Sequence, residues 1–221
     1  DSFSDRIIRG EILSSDRTVL AKTNVAEDGT EVREYPYGSL FAHVVGYSDQ
    51  GKTGLESLAN FYLLSSHMNL VEQAVNELSD VKNLGDQVVT TLDVQLQQAA
   101  SDALGDRKGA VVVMEPDTGK ILAMVSKPGF DPNQLSSQWE SLISGDNTEA
   151  QLLNRASQGL YPPGSTFKIF TTLEYIHENA DYADYHFDCS GEYTVGTKTI
   201  HCHNNKRHGS EDLKTSFANS C

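Results

Sequence analysis

The chain has 221 residues, 38% of them hydrophobic, which is enough for one large domain or two small ones with packed cores. Its 17 basic against 31 acidic residues give a net charge of -14, which repels nucleic-acid phosphates and anionic membrane surfaces, so no nucleic-acid partner is expected. No apolar run approaches the roughly 18–20 residues of a membrane span, and "DSFSDRIIRG" opens without an initiator Met or a signal-peptide pattern, so the expectation is a soluble chain or one whose N-terminus was removed.

In chain order, "EILSSDRTVLAKT" predicts two strands around a turn, because Ser14, Ser15 and Asp16 punctuate alternating apolar residues. From Leu58 to Leu78 the pattern becomes helical but patchy. At "KNLGDQ", residues 82–87, Gly85 and Asp86 interrupt a polar helix end before "VVTTL" resumes as a strand, so a first domain is expected over 1–85 and a second over 86–221.

The second domain opens legibly. Asp93 precedes "VQLQQAASDAL", where Val94, Leu96, Ala99, Ala100 and Leu104 form an apolar stripe and Gly105 supplies the stop, predicting a helix over 93–104. In "GAVVVMEPDTGKILAMVS" two apolar runs flank Pro116, Asp117, Thr118 and Gly119, the composition of a hairpin turn. Strands apolar on both faces suggest a sheet covered by helices. One or two short helices are expected around "SSQWESLISG". "STFKIFTTLEYIHENA" predicts a further helix, with Ile169, Phe170, Leu173 and Ile176 at helical spacing.

Cys189, Cys202 and Cys221 are too few for a disulfide scaffold. Cys189 and Cys202 with His201, His203 and His208 offer ligand types for zinc, but His201, Cys202 and His203 are consecutive, unlike the separated pairs of structural zinc motifs. The expectation is a histidine-bearing loop without metal or cofactor, with Cys189 and Cys202 as a candidate disulfide.

Ser165, in "YPPGSTFKIF", invites two readings. Serine is a favoured helix N-cap, and Pro-Pro-Gly explains a sharp turn into the helix. Ser165 and Lys168 also make the spacing Ser-x-x-Lys, which recurs at Ser79 and Lys82 and so decides nothing by itself. Context separates the copies: Lys82 lies where a polar helix runs out and a cation is welcome, whereas Lys168 lies in the first turn, where the dipole is positive. That position, with expected burial among Phe167, Ile169 and Phe170, would favour a neutral amine. Residues three apart on a helix have Cβ atoms about 5–6 Å apart, so the amine could reach the serine hydroxyl as a general base.

The stretch "LLNRASQGLYPPGSTFKIFTTL" resembles the active-site segment of penicillin-binding proteins, the serine D,D-transpeptidases of peptidoglycan. "RIIRGEILSSDRTVLA", "REYPYGSLFAHVVGY" and "GKTGLE" resemble the pedestal of the monofunctional, class B members, and "VVTTLDVQLQQAASDAL" with "GAVVVMEPDTGKILAMVSKPGFDPN" resembles the first half of their transpeptidase domain. The implied fold is α+β: a pedestal of short strands and helices, then the first half of an antiparallel sheet with helices on both faces, similar to serine β-lactamases. Ser165 would be the nucleophile, Lys168 its lysine, and Ser220 the proton relay of a Ser-x-Asn motif, with the asparagine expected after Cys221.

Lys52, Thr53 and Gly54 spell the family's third motif but precede the nucleophile, and are read as a turn. Asp16 and Arg17 stand where the family often has Asn-Gly. The resemblance implies cross-linking of peptidoglycan stem peptides through an acyl-serine, acylation by β-lactams, and contacts of the pedestal with cell-wall synthesis proteins. It also implies a location on the outer face of the cell membrane through an anchor upstream of Asp1. Without the second half of the domain, this chain is expected to be poorly active. A β-lactamase or β-lactam sensor with the same core, or a silent scaffold, are the alternatives.

Overall fold

Apolar pairs separated by polar residues make short strands at the start of the chain, which the structure, a computed structural model, describes over residues 6–79 and 81–221. β1 (Ile7–Ile8) and β2 (Ile12–Leu13) flank Gly10, where a Cβ would lie 2.0 Å from the Asp86 carbonyl oxygen, so only glycine permits this approach. β3 (Val19–Val25) returns antiparallel to β2 across the expected turn. Arg17 adopts φ 67° in that turn, the left-handed conformation that a glycine would take without strain. β4 (Glu31–Glu34) follows.

Contacts divide the chain into two units, one ending at Leu160 and one spanning Tyr161–Cys221. In the first, α1 (Ala42–Val45) and α2 (Gly54–Leu58) lead into the patchy helical stretch, which resolves into α3 (Asn60–Leu63) and α4 (Leu70–Leu78). β5 (Asn83–Leu84) pairs in parallel with β1, and β6 (Val88–Val89) with β2, giving a sheet in the order β4-β3-β2-β6. The strand expected to open the second domain thus joins the sheet of the first segment. Ile12, Leu20, Phe41, Val45, Leu63 and Leu92 close the core around it.

Beside this core the wholly buried Glu56 accepts from Arg9 at 2.6 Å and from Arg33 at 2.7 Å. The Tyr35 hydroxyl donates to it at 3.3 Å, and burial, helped by the charge of Glu56, pushes that phenol up to about 12. β4, α2 and the link between β1 and β2 are thereby tied through one carboxylate, a charge that could not remain buried without both guanidinium partners.

α5 (Val94–Leu104) begins and ends as its sequence dictates: the Asp93 side chain accepts from the Leu96 N–H at 2.8 Å, and Gly105 reverses the chain with φ 58°. β7 (Gly109–Met114) and β8 (Ile121–Lys127) form the antiparallel hairpin, and α5 covers one face through Ala100 and Leu104 against Ala123 and Val125. The inward face differs from the predicted stripe, since Leu96 and Ala99 are exposed while Gln97 is wholly buried. Its amide donates to the Leu40 and Met124 carbonyls and accepts from the Met124 N–H, all at 2.8 Å, which satisfies backbone groups that an apolar side chain would leave unpaired. Val112 and Met114 point away from α5 and stay about half exposed. α6 (Leu135–Ile143) sets Leu135, Leu142 and Trp139 against Tyr47 and Phe130.

The second unit contains α7 (Lys168–Glu178), β9 (His186–Cys189), β10 (Glu192–Val195), β11 (Lys198–His201), β12 (Gly209–Asp212) and α8 (Leu213–Asn219). β9 pairs antiparallel with β12, and β10 with β11 across Gly196 and Thr197. The stripe predicted on α7 is present in sequence but uncovered: Ile169, Phe170 and Leu173 are half or more exposed.

Candidate active site

Pro163, at φ -67° and ψ -23°, precedes a single 3-10 turn, Gly164–Phe167, that runs directly into α7. Ser165 lies inside that turn. Its side chain makes no capping hydrogen bond, and the cap position belongs to Pro163. The capping reading of Ser165 therefore fails, and its exposed hydroxyl instead accepts from the Ser220 hydroxyl at 3.0 Å.

Ser220 reaches this place from the far end of α8. That helix is started by a capping box, in which Asp212 accepts from the Thr215 N–H at 2.7 Å and the Thr215 hydroxyl accepts from the Asp212 N–H at 2.9 Å. It ends on Ser220 in the left-handed region, φ 56° and ψ 36°, and the Cys221 N–H then closes back on the Ser216 carbonyl at 2.9 Å. A non-glycine residue held there is strained, and the strain aims its side chain back toward Ser165.

Lys168 joins the two serines. Its Nζ donates to the Ser220 hydroxyl at 2.7 Å and to the Ser220 carbonyl oxygen. The lysine thus connects to Ser165 through Ser220, and not by the direct bond that helical spacing suggested. The apolar cover expected from Phe167, Ile169 and Phe170 is absent, since all three are half or more exposed. A cavity of about 600 Å³ opens beside Lys168 and Ser220, walled by Tyr185, Phe187, Tyr193 and Ile200.

The other motif copies lie elsewhere. Ser79 ends α4, and Lys82 is not merely solvated but donates to Glu31 at 2.7 Å. Thr53 and Gly54 lead into α2, the turn that the sequence suggested.

The same cavity is lined by Cys189, Cys202 and Cys221, which carry no disulfide. Their sulfurs, with Nδ1 of His208, lie within 4.8 Å of one another, so these four residues could hold a metal ion. The objection from the consecutive His201, Cys202 and His203 does not reach this arrangement, which takes only Cys202 from the triplet. His201 turns toward Glu192 at 3.8 Å instead. The backbone N–H of His208 and the thiol of Cys221 hold the Cys189 thiol below the usual range, while burial pushes that of Cys221 up. Cys221 reaches its partners through the closing turn after α8.

The family described as penicillin binding protein transpeptidase domain matches residues 109–221, just over half of the chain, and the penicillin binding protein A dimerisation domain matches 9–88. The chain is 38% identical over 190 residues to the peptidoglycan D,D-transpeptidase PbpA of Mycolicibacterium smegmatis, a match covering 78% of this chain and 38% of that protein. It superposes on penicillin-binding protein A from Mycobacterium tuberculosis, solved as an imipenem acyl-enzyme complex, with a TM-score of 0.85 and 30% identity over 100% of this chain and 54% of that one. A D,D-transpeptidase domain from Eggerthella lenta gives a TM-score of 0.80 and 38% identity over 96% of this chain and 47% of that one. The chain thus spans about two fifths of that curated relative and about half of each of these structures. A serine-lysine-serine cluster at one end of a helix and these matches agree on one conclusion: the chain belongs to the class B penicillin-binding proteins, with a dimerisation domain followed by transpeptidase-domain sequence.

Proposed function

We propose that this chain carries the nucleophile of a peptidoglycan D,D-transpeptidase, with Ser165 as nucleophile, Lys168 as base and Ser220 as relay. The observation that supports the reading is the hydrogen-bonded line from Lys168 through Ser220 to Ser165. With the amine uncharged, the line reverses: the proton of Ser165 passes to Ser220, and that of Ser220 to Lys168. The freed oxygen attacks the carbonyl carbon between two D-alanines, the carbon–nitrogen bond breaks, and the departing amine takes the proton back. The acyl group stays on Ser165 as an ester until an acceptor amine displaces it. In the first turn of a helix the Ser165 N–H has no intrahelical acceptor, and it would face the developing oxyanion. A β-lactam would follow the same path and stop at the ester.

On this reading residues 1–85 act as the pedestal, offering a surface to cell-wall synthesis proteins, and 86–221 contribute to the transpeptidase domain. The protein works on the outer face of the cell membrane; among the described residues no helix is long and apolar enough to cross it.

The test is labelling of the complete protein with a fluorescent penicillin. Wild type should label to one equivalent, Ser165→Ala should fall by at least about 10³-fold, and Ser220→Ala should slow acylation without removing it. Undiminished labelling of Ser165→Ala would overturn the assignment.

A further inference from the structure

We propose that Glu211 is a positioning residue for the transpeptidase reaction: from β12 its carboxylate clamps the far end of α8 through Asn219 and so holds the turn on which the Ser220 hydroxyl stands. The inference rests on the transpeptidase reading and adds a residue that the proton path itself does not use.

Glu211 occupies the inward position of its strand. Gly209, Ser210 and Asp212 are exposed, whereas Glu211, in register with Phe187 of β9, is 2% exposed. An apolar side chain is the ordinary occupant of such a place, because a strand with one covered face alternates apolar with polar residues. The carboxylate found there reaches along the helix instead. Its Oε1 accepts from the Asn219 side-chain amide at 2.8 Å, while Oε2 has no hydrogen-bond partner among the described residues. A carboxylate oxygen accepts and only the amide nitrogen donates, so the contact also fixes which way the Asn219 side chain points. A buried oxygen without a donor is costly, and local rules broken in this way gather at functional sites.

Two consecutive residues thereby tie the two ends of one helix. Asp212 caps the start of α8 through Thr215, and Glu211 holds its last residue, Asn219. The one fully buried residue of α8 is the polar Ser216. Helix ends fray unless something holds them. Ser220 follows Asn219 directly and lies in the left-handed region, which a non-glycine residue keeps only when its surroundings enforce it. If the last turn of α8 loosened, the Ser220 hydroxyl would lose both of its contacts together, 2.7 Å to Lys168 and 3.0 Å to Ser165.

The experiment is the rate of acylation of the complete protein by a fluorescent penicillin, paired with hydrogen exchange over residues 213–221. Asn219→Asp sets a second carboxylate against Glu211 and should slow acylation by about 10- to 100-fold, as misplacement of the relay by an ångström can. Adding Glu211→Gln to Asn219→Asp exchanges donor and acceptor and should restore most of the rate, a recovery that a general loss of stability would not show. The change should fall on the acylation rate constant and not on the affinity that precedes it, since neither Glu211 nor Asn219 lines the cavity beside Lys168. Exchange protection should drop in Asn219→Asp and return in the double variant, which reads the clamp without catalysis. Unchanged acylation or unchanged exchange in Asn219→Asp overturns the inference, as does a double variant as slow as the single one; with wild type labelled on Ser165, the transpeptidase reading then still stands. Wild type that does not label defeats that reading and the positioning role with it, even where exchange shows the clamp.

Discussion

The unit ending at Leu160 and the unit from Tyr161 are built on different principles. The first buries Ile12, Leu20, Phe41, Leu63, Leu135 and their neighbours in three apolar clusters, and its buried polar groups, Glu56 and Gln97, are surrounded by partners. The second carries all three serine and lysine groups of the candidate site together with the sulfur cluster, held in place by polar contacts and a helix cap. Where apolar burial sets the geometry, truncating one side chain is felt as lost stability. Where polar contacts and a cap set it, the same loss is felt as misplacement of a hydroxyl.

Three measurements would break or sharpen this contrast. The largest effect is expected from Glu56→Ala, which strands two guanidinium groups beside the core and should cost about 3–5 kcal/mol. Trp139, the chain's single tryptophan, lies in the first unit and reports its unfolding in denaturant; an unchanged midpoint would show that the ion-paired cluster is not structural. Next, Asp212→Ala removes the capping box of α8 and should cost about 1 kcal/mol of that helix, roughly a fivefold loss of hydrogen-exchange protection over 213–219. The Trp139 transition should not move.

The smallest effect concerns pH. Burial holds the protonation of His43 below its ordinary range, and its Nε2–H donates to the Gln151 carbonyl at 2.7 Å. The unfolded chain, titrating near about 6.5, then binds the proton more readily than the folded one. Stability of the first unit should be full above that value and decline as pH falls toward the lowered folded value. His43→Gln should flatten this acid limb in denaturation curves, and a limb unchanged by the substitution would assign it to other groups.

The first unit was the more legible in sequence, because its helices and hairpin follow from Asp93, Gly105 and the turn at 116–119, each a local signal. What escaped was long-range. Gln97 occupies a polar position in the helical pattern yet faces inward, since it meets unpaired carbonyl and amide groups brought there by Leu40 and Met124. Val88 and Val89 read as the start of a new domain because nothing local says that they align with Ile12 and Leu13.

In the second unit the residue types of the site were readable, but their connectivity was not. Helical spacing put Lys168 beside Ser165, whereas the structure interposes Ser220 from a helix end 52 residues away from the lysine. The sulfur cluster is assembled from four separated segments, and the adjacency of His201, Cys202 and His203 in sequence does not reveal it.

The left-handed ending of α8 also limits what that helix can become. An α-helix advances about 1.5 Å and rotates about 100° with each residue. Inserting or deleting one residue between Asp212 and Ser220 would swing the terminal hydroxyl by more than a quarter turn, away from Ser165. Its seven-residue length is therefore a fixed gauge, tolerant of exchanges along its exposed side but not of any change in count.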